Sequence, residues 1–334
     1  MQKEVLLMKS SGIGGQAVLE GIMMKNQDRY AVAVRKPDQE IEVCVKEYKS
    51  IAKGRKLLNL PFIRGIFSFI DSLVLGMSTL MYSSQFYEEE EENETGKKES
   101  ENEKELKKSE KNSDNAFKDT TESVIMTVTV IFSVILALGL FVVLPSLISD
   151  FAKKKFAISS YTAVAVIESV IKLILFLLYI ILISRMEDIQ RTFMYHGAEH
   201  KCINCIEHGN ELNVENVLKS SRLHKRCGTS FLFLVMAISI VFFIMIPVQQ
   251  PALKILVRLL LIPVIAGVSY EVLRFAGSHD NLFVKVVSAP GLALQKLTTK
   301  EPDPQMAEVA IKAVEAVFDW REYLKNLEED EPEK

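Results

Sequence analysis

Between residues 41 and 46 the apolar positions fall on a period of two. Tyr30–Lys36 and Glu40–Tyr48 are rich in Val and Ile and flank Pro37-Asp38-Gln39, and Ile41, Val43 and Val45 alternate with Glu42, Cys44 and Lys46. That pattern predicts a half-buried β-hairpin closed by a Pro-Asp turn, with Cys44 on its polar side as an edge residue. Upstream, residues 12–24 read Gly-Ile-Gly-Gly-Gln-Ala-Val-Leu-Glu-Gly-Ile-Met-Met. No P-loop Lys-Ser/Thr follows these glycines, which favours a tight turn feeding a strand over a phosphate cradle.

From residue 57 the pattern changes to long apolar runs. Leu57–Phe86 is apolar apart from Pro61, Arg64 and Asp71. It is expected as an interfacial or partly inserted helix over 57–87, with a full span as the alternative. Arg64 and Asp71 lie about two turns apart and so share a helical face. Residues 88–123 are charged and of low complexity, and a segment with nothing to bury is expected as a disordered linker. Four runs then approach the ~20 residues that a membrane span requires: Val124–Leu144, Tyr161–Ser184, Phe231–Pro247 and Ala252–Val272. Glu168 and Lys172 lie four apart in the second, where they can pair on one face, and Lys254 and Arg258 sit near the start of the fourth. An amphipathic helix is expected around Val309–Phe318, ending near Trp320 before an acidic tail.

The expected fold class is therefore an α-helical integral membrane protein of about four transmembrane helices with a small α+β cytosolic portion. Its segments are a hairpin region (1–56), an interfacial helix (57–87), the linker (88–123), a first helix pair (124–184), a central loop (185–229), a second helix pair (230–275) and a C-terminal region (276–334). Composition agrees once it is resolved along the chain. Hydrophobic residues make up only 49 % overall, because charge is confined to a few blocks. The net charge of −3 argues against nucleic acid as a partner and leaves the lipid bilayer, with other membrane proteins as further candidates. Met1–Ser11 has neither the apolar run nor the small-residue site of a signal peptide. The 185–229 loop is rich in Lys and Arg, which orients it, and with it both termini, toward the cytosol of a multi-pass cell-membrane protein. Lys153, Lys154 and Lys155 argue the other way and are outweighed by the longer basic loop.

The candidate chemistry lies in that loop. Met194-Tyr195-His196-Gly197-Ala198-Glu199-His200-Lys201-Cys202 leads to Cys205, and Leu223-His224-Lys225-Arg226-Cys227 closes the segment. His196 and His200 project from one helical face, in the H-x-x-E-H order in which a glutamate serves as general base beside a zinc ion. His224 and Cys227 are further ligands at a spacing of three, and Cys202-x-x-Cys205 is a spacing common in structural zinc sites. Two partitions follow. His196 and His200 with His224, Cys227 or both leave Glu199 beside the metal; Cys202, Cys205, His224 and Cys227 make a closed structural site. His208 and His279 read as turn and loop residues.

Gly14-Gly15-Gln16-Ala17-Val18-Leu19-Glu20-Gly21, Pro61-Phe62-Ile63-Arg64-Gly65, Tyr195–Lys201, His224–Ser230 and Tyr270-Glu271-Val272-Leu273-Arg274-Phe275 together resemble the YqhQ-like bacterial membrane proteins, a domain of unknown function described as predicted metal-dependent enzymes. The resemblance covers nearly all the chain except the linker and tail. It implies a multi-pass membrane protein with His196, Glu199, His200, His224 and Cys227 in its pattern and Cys202 and Cys205 outside it, which favours the first partition. The leading expectation is a zinc-dependent hydrolase at the cytosolic membrane surface, with Glu199 as base and His196, His200, His224 and Cys227 as metal candidates. A metal-stapled scaffold or membrane-protein biogenesis factor is the alternative, and a small transporter using Glu168 and Lys172 comes third.

Overall fold

A computed structural model describes the backbone of residues 10–96, 127–246, 248, 250–279 and 281–329. Residues 97–123 of the expected linker, the end of the acidic tail, and Pro247 and Gln249 of the turn before the last span lie outside the described residues. The chain forms two compact units, one of Met1–Tyr87, Tyr179–Phe242 and Leu261–Lys334, the other of Glu88–Leu178 and Phe243–Leu260.

The first unit is built on an antiparallel meander of β1 (Gly14–Val18), β2 (Gly21–Asn26), β3 (Arg29–Arg35) and β4 (Ile41–Glu47), in the order β1-β2-β3-β4. The β3–β4 hairpin is the one expected, with Val32 opposite Cys44 and Ala33 opposite Val43. The Gly-rich stretch supplies β1 and β2, and Glu20 turns between them at φ 46°. Residues of the central strands β2 and β3 are buried on both faces because helices cover both. On one face Val18, Met23, Tyr30, Val32 and Val34 pack with Leu75, Tyr82 and Phe86 of α1 (Ile63–Gly96). On the other, Ile22, Met24 and Ala33 meet Tyr195, Ala198 and Ile203 of α4 (Glu187–Glu207) and Met306, Val309 and Ala310 of α9 (Pro304–Glu315). α9 starts on an Asp303 cap followed by Pro304, the residue preorganised for a first helical turn.

α1 is 34 residues long and continues to Gly96, so the glutamate run after Tyr87 begins as helix, for which glutamate has a high propensity. Its two faces differ. Asp71 accepts hydrogen bonds from Ser50 Oγ (2.7 Å) and the Ile51 amide, and Ser83 Oγ accepts from the Leu19 amide (3.1 Å). Phe69, Ile70, Leu73 and Val74 on the other side are exposed. At its start Arg64 forms a bidentate pair with Glu271, at 2.7 and 2.5 Å. Arg64 and Asp71, which share a face in the periodicity, thus serve different partners.

Among the described residues, five helices are long and apolar enough to cross a membrane: α1 over Ile63–Tyr87, α2 (Thr127–Lys155), α3 (Tyr161–Ile183), α6 (Gly228–Met245) and α7 (Pro251–Ser278). α2 runs through a π-helical turn at Gly139–Val143 and continues past the expected end at Leu144. The remaining helices are α5 (Val214–Lys219), capped by Asn213, α8 (Leu282–Thr298), capped by Asn281, and α10 (Trp320–Glu329).

The second unit contains α2, most of α3 and the adjoining ends of α6 and α7. Its centre is ionic: Lys254 Nζ lies 2.6 Å from Asp150 and 3.6 Å from Glu168, and Arg258 pairs with Glu168, which also accepts from Ser149 Oγ at 3.1 Å. Glu168 is therefore taken up by two cations of α7, while Lys172 of its own helix lies over the Phe243 ring.

Candidate metal centre

α4 carries the site; its two faces bind different segments, and Glu207 serves both. Residues eight apart on a helix return to nearly the same face. Along one such face the N-terminal strand region is pinned three times. Arg191 and Tyr195 hold Glu20, the Glu199 carboxylate accepts from the Gly15 amide (3.1 Å), and Glu207 accepts from the Ser11 amide and hydroxyl, both at 2.8 Å. Gly15 is needed for this approach, because a Cβ there would stand 2.6 Å from Met23 O and 3.0 Å from Glu199 Cγ.

The other face binds the 218–227 segment through its backbone. Lys201 Nζ donates to Leu218 O and Ser220 O at 2.8 Å each, satisfying carbonyls at the end of α5. Asn204 Nδ2 donates to Ser221 O (2.6 Å) and Leu223 O (3.0 Å). From α8, buried Gln295 brackets the His224 peptide: its Oε1 accepts from the His224 amide (2.9 Å) and its Nε2 donates to His224 O (2.7 Å). Arg226 is held by Glu207. The loop that delivers Cys227 is thus fixed by side chains reaching for carbonyls.

His196, His200 and Cys227 offer ligand atoms that all lie within 4.8 Å of one another. His196 Nδ1 donates to Thr298 O at 3.0 Å and His200 Nδ1 to Arg222 O at 2.7 Å. With Nδ1 protonated, the lone pair of each ring sits on Nε2, the arrangement usual for metal-ligating imidazoles. His196 Nε2 is 3.2 Å from Cys227 Sγ, and the two imidazole centroids are 4.4 Å apart. Cys227 precedes α6, and the Thr229 amide and hydroxyl lie 3.4 and 3.2 Å from its sulfur. Gly197 permits this packing: a Cβ there would fall 2.0 Å from Lys300 O, beside the Thr298 carbonyl that orients His196.

Glu199 stands next to this group, its Oε2 3.9 Å from His196 Nε2. Burial raises its pKa above the ordinary carboxylate value, opposed by His196 and the Gly15 amide. His224 is brought near but not into the group of three. Its Nδ1 meets Asn204 Oδ1 at 3.1 Å, its ring lies 5.7 Å from that of His200, and burial pushes its pKa well below the usual value. Cys202 and Cys205 are not gathered with the others. Both belong to the apolar core between α4 and α9 and stay neutral, since burial raises the Cys202 thiol well above its ordinary value and that of Cys205 to about 11. Among the described residues the closed Cys202–Cys205–His224–Cys227 set is not brought together; the donors that converge are His196, His200 and Cys227.

The groups that hold the site together left little trace in the pattern. Gly15, Asn204, Gln295 and Thr298 act through amides and carbonyls, and only the glycines of Gly14-Gly15 and His196-Gly197 hint at close approach. The motif blocks also meet in space: Arg64 and Phe62 of the Pro61–Gly65 block both reach Glu271, in the Tyr270–Phe275 block.

No solved structure matches the chain. Uncharacterized protein YqhQ of Bacillus subtilis (strain 168) is 36 % identical over 302 residues, covering 90 % of this chain and 90 % of that protein. Residues 60–320 match the family described as protein of unknown function (DUF1385). That match runs from the turn before α1 to the first residue of α10 and includes every side chain of the His–His–Cys group, and the chain belongs to this family.

Proposed function

We propose that the chain is a multi-pass membrane protein that holds a metal ion, zinc by its donor set, at His196, His200 and Cys227, and acts as a metal-dependent hydrolase at the cytosolic membrane surface. The observation that carries this reading is the convergence of the three donors, with both imidazoles already committed through Nδ1 to backbone carbonyls. Two nitrogens and one sulfur suit zinc, and three protein ligands leave a fourth tetrahedral position. A bound ion would supply Lewis acidity there. The chain's own contribution is to orient and to move a proton. Thr298 and Arg222 fix the rings, the Gly15 amide fixes one oxygen of Glu199, and Oε2 is the atom that accepts the proton. The orientation rests on the basic 185–229 loop.

A second reading, a metal-stapled scaffold, is favoured by the burial of His200 and Glu199, at 1 % and 4 % exposure. The two readings separate on Glu199. His200→Ala removes a ligand, so bound metal falls under either reading, and stability falls with it if metal binding and folding are linked. Glu199→Gln keeps volume and ligands. If the site is hydrolytic, this variant retains metal and thermal stability by elemental analysis and melting, yet fails to complement a strain lacking the protein. Normal complementation by Glu199→Gln would leave the scaffold, and loss of its metal would make Glu199 a ligand.

A further inference from the structure

α8 is inside out. Its outward stripe is Leu282, Phe283, Val286, Ala293 and Leu297, of which Leu282, Phe283 and Val286 are 78 %, 62 % and 64 % exposed. Ala289 and Pro290 continue the stripe between them. The face turned inward carries Val284 and Leu294 but also Ser288, Gln295 and Thr298, all buried. A helix on a water-facing protein surface has the opposite arrangement, apolar inward and polar outward. The helix has no acidic residue, and its two cations, Lys285 and Lys296, are exposed, as on a helix lying on anionic headgroups.

The attachments of α8 also decide how it lies. Gly277, in the last turn of α7 and five residues before α8, packs on the side chain of Arg226. Gln295, near its other end, holds the His224 peptide, and Gly291 packs on Ser230. The end of α7 and the second half of α8 are thus tied to one short segment, residues 224–230, with the first turns of α8 between them. A helix crossing the bilayer would separate its ends by the ~30 Å of the hydrocarbon core.

Resting on the membrane reading above, we propose that α8 is an in-plane membrane-docking helix whose apolar stripe is immersed in the acyl region of a bilayer leaflet. Its polar inner face then lies over the His–His–Cys group, which sits at the headgroup level. The occupant is lipid: the stripe follows the α7 span after residues 279–281, and the two charges carried by the helix itself, Lys285 and Lys296, are both positive.

The test uses the full-length protein in vesicles of phosphatidylcholine and phosphatidylglycerol with brominated acyl chains, and tryptophan emission as the readout. The single native tryptophan is removed by Trp320→Phe. Probes are placed singly as Val286→Trp and Ala293→Trp on the stripe, Ile135→Trp on the exposed side of α2, and Lys312→Trp on α9. A helix docked at the usual depth should lose at least about half its emission at Val286→Trp and Ala293→Trp. Quenching there should be stronger with bromine high on the chain than deep, with Lys312→Trp unaffected. Quenching at Ile135→Trp but not on the stripe overturns the docking helix and leaves the membrane reading standing. No quenching at either overturns both. Blue-shifted, unquenched emission on the stripe puts protein there, a second copy or another partner, and overturns the proposal. Deeper bromines quenching Ala293→Trp more strongly than shallow ones would make α8 a span and overturn it equally.

Discussion

Each unit of this protein buries a polar network, and the two are made differently. In the α2–α3 unit the charges answer one another: Asp150 and Glu168 against Lys254 and Arg258, side chain to side chain. Around α4, beside the pairs Arg191–Glu20, Arg226–Glu207 and Lys201–Glu301, a set of polar side chains answers the backbone: Lys201, Asn204, Gln295, His196 and His200 each bind one or more main-chain groups. A side-chain network can be removed as a set, since replacing both partners removes the unsatisfied groups together. A backbone carbonyl cannot be mutated away, so a side chain that satisfies one has no compensating partner. The first arrangement joins helices; the second fixes the path of a loop to within hydrogen-bonding tolerance, which is what delivers Cys227 to His196.

The largest effect is expected where the ionic network is broken on one side. Arg258→Met leaves Glu168 buried with Lys254 as its remaining cation, and breaking a buried pair typically costs about 3–5 kcal/mol. Thermal unfolding in nanodiscs should show a large drop, while Arg258→Met with Glu168→Gln should recover much of it, because the uncompensated charge has gone. A double variant as unstable as the single one would show that the pair is not the unit. Asn204→Leu comes next. It strands Ser221 O, Leu223 O and His224 Nδ1, with a cost of about 1–3 kcal/mol for a buried group left unpaired. Amide exchange should rise over residues 221–227, and under the metal reading proposed above bound metal should fall although His196, His200 and Cys227 are untouched. Unchanged exchange in that segment would show that Asn204 does not hold the loop.

The same contrast explains what was legible in the sequence. Alternation at Ile41–Lys46 and the Pro37-Asp38 corner disclosed the β3–β4 hairpin, because strand period and turn chemistry are local. The apolar runs disclosed the long helices, and the four-residue step from His196 to His200 placed two donors on one face. α1 was ambiguous for a physical reason: one of its faces packs on the sheet and the other is exposed and apolar, so its composition lies between a span and a core helix. The choice among Cys202, Cys205, His224 and Cys227 was settled by neither spacing nor ligand chemistry. It depends on which residues of α4 face α9, and on Asn204 occupying His224. The Gly15–Glu199 contact joins positions 184 apart through an amide, a donor that every residue but proline has.

The cysteines give the smallest effect and the sharpest local contrast. Cys205 lies in the core, its sulfur 3.3 Å from Glu211 O, and its pKa is pushed up to about 11 from the ordinary 9.0, chiefly by burial. The thiolate is the reactive form, so at pH 8 that shift alone lowers the reactive fraction ~100-fold. Cys44 sits half-buried on β4, outside that core. In the folded protein, alkylation at pH 8 followed by peptide mass spectrometry should modify Cys44 readily and leave Cys205 unmodified. The Cys205 rate should still be climbing at pH 10, since its thiolate fraction increases until the pH passes the raised pKa. Access to the core limits the same reaction, and denaturant separates the two causes: unfolding should bring Cys205 to the Cys44 rate and return its pH midpoint to near 9. A Cys205 that reacts at pH 8 as fast as Cys44 without denaturant would mean that the α4–α9 core opens around it. Its thiol would then have to be weighed with the candidate site after all.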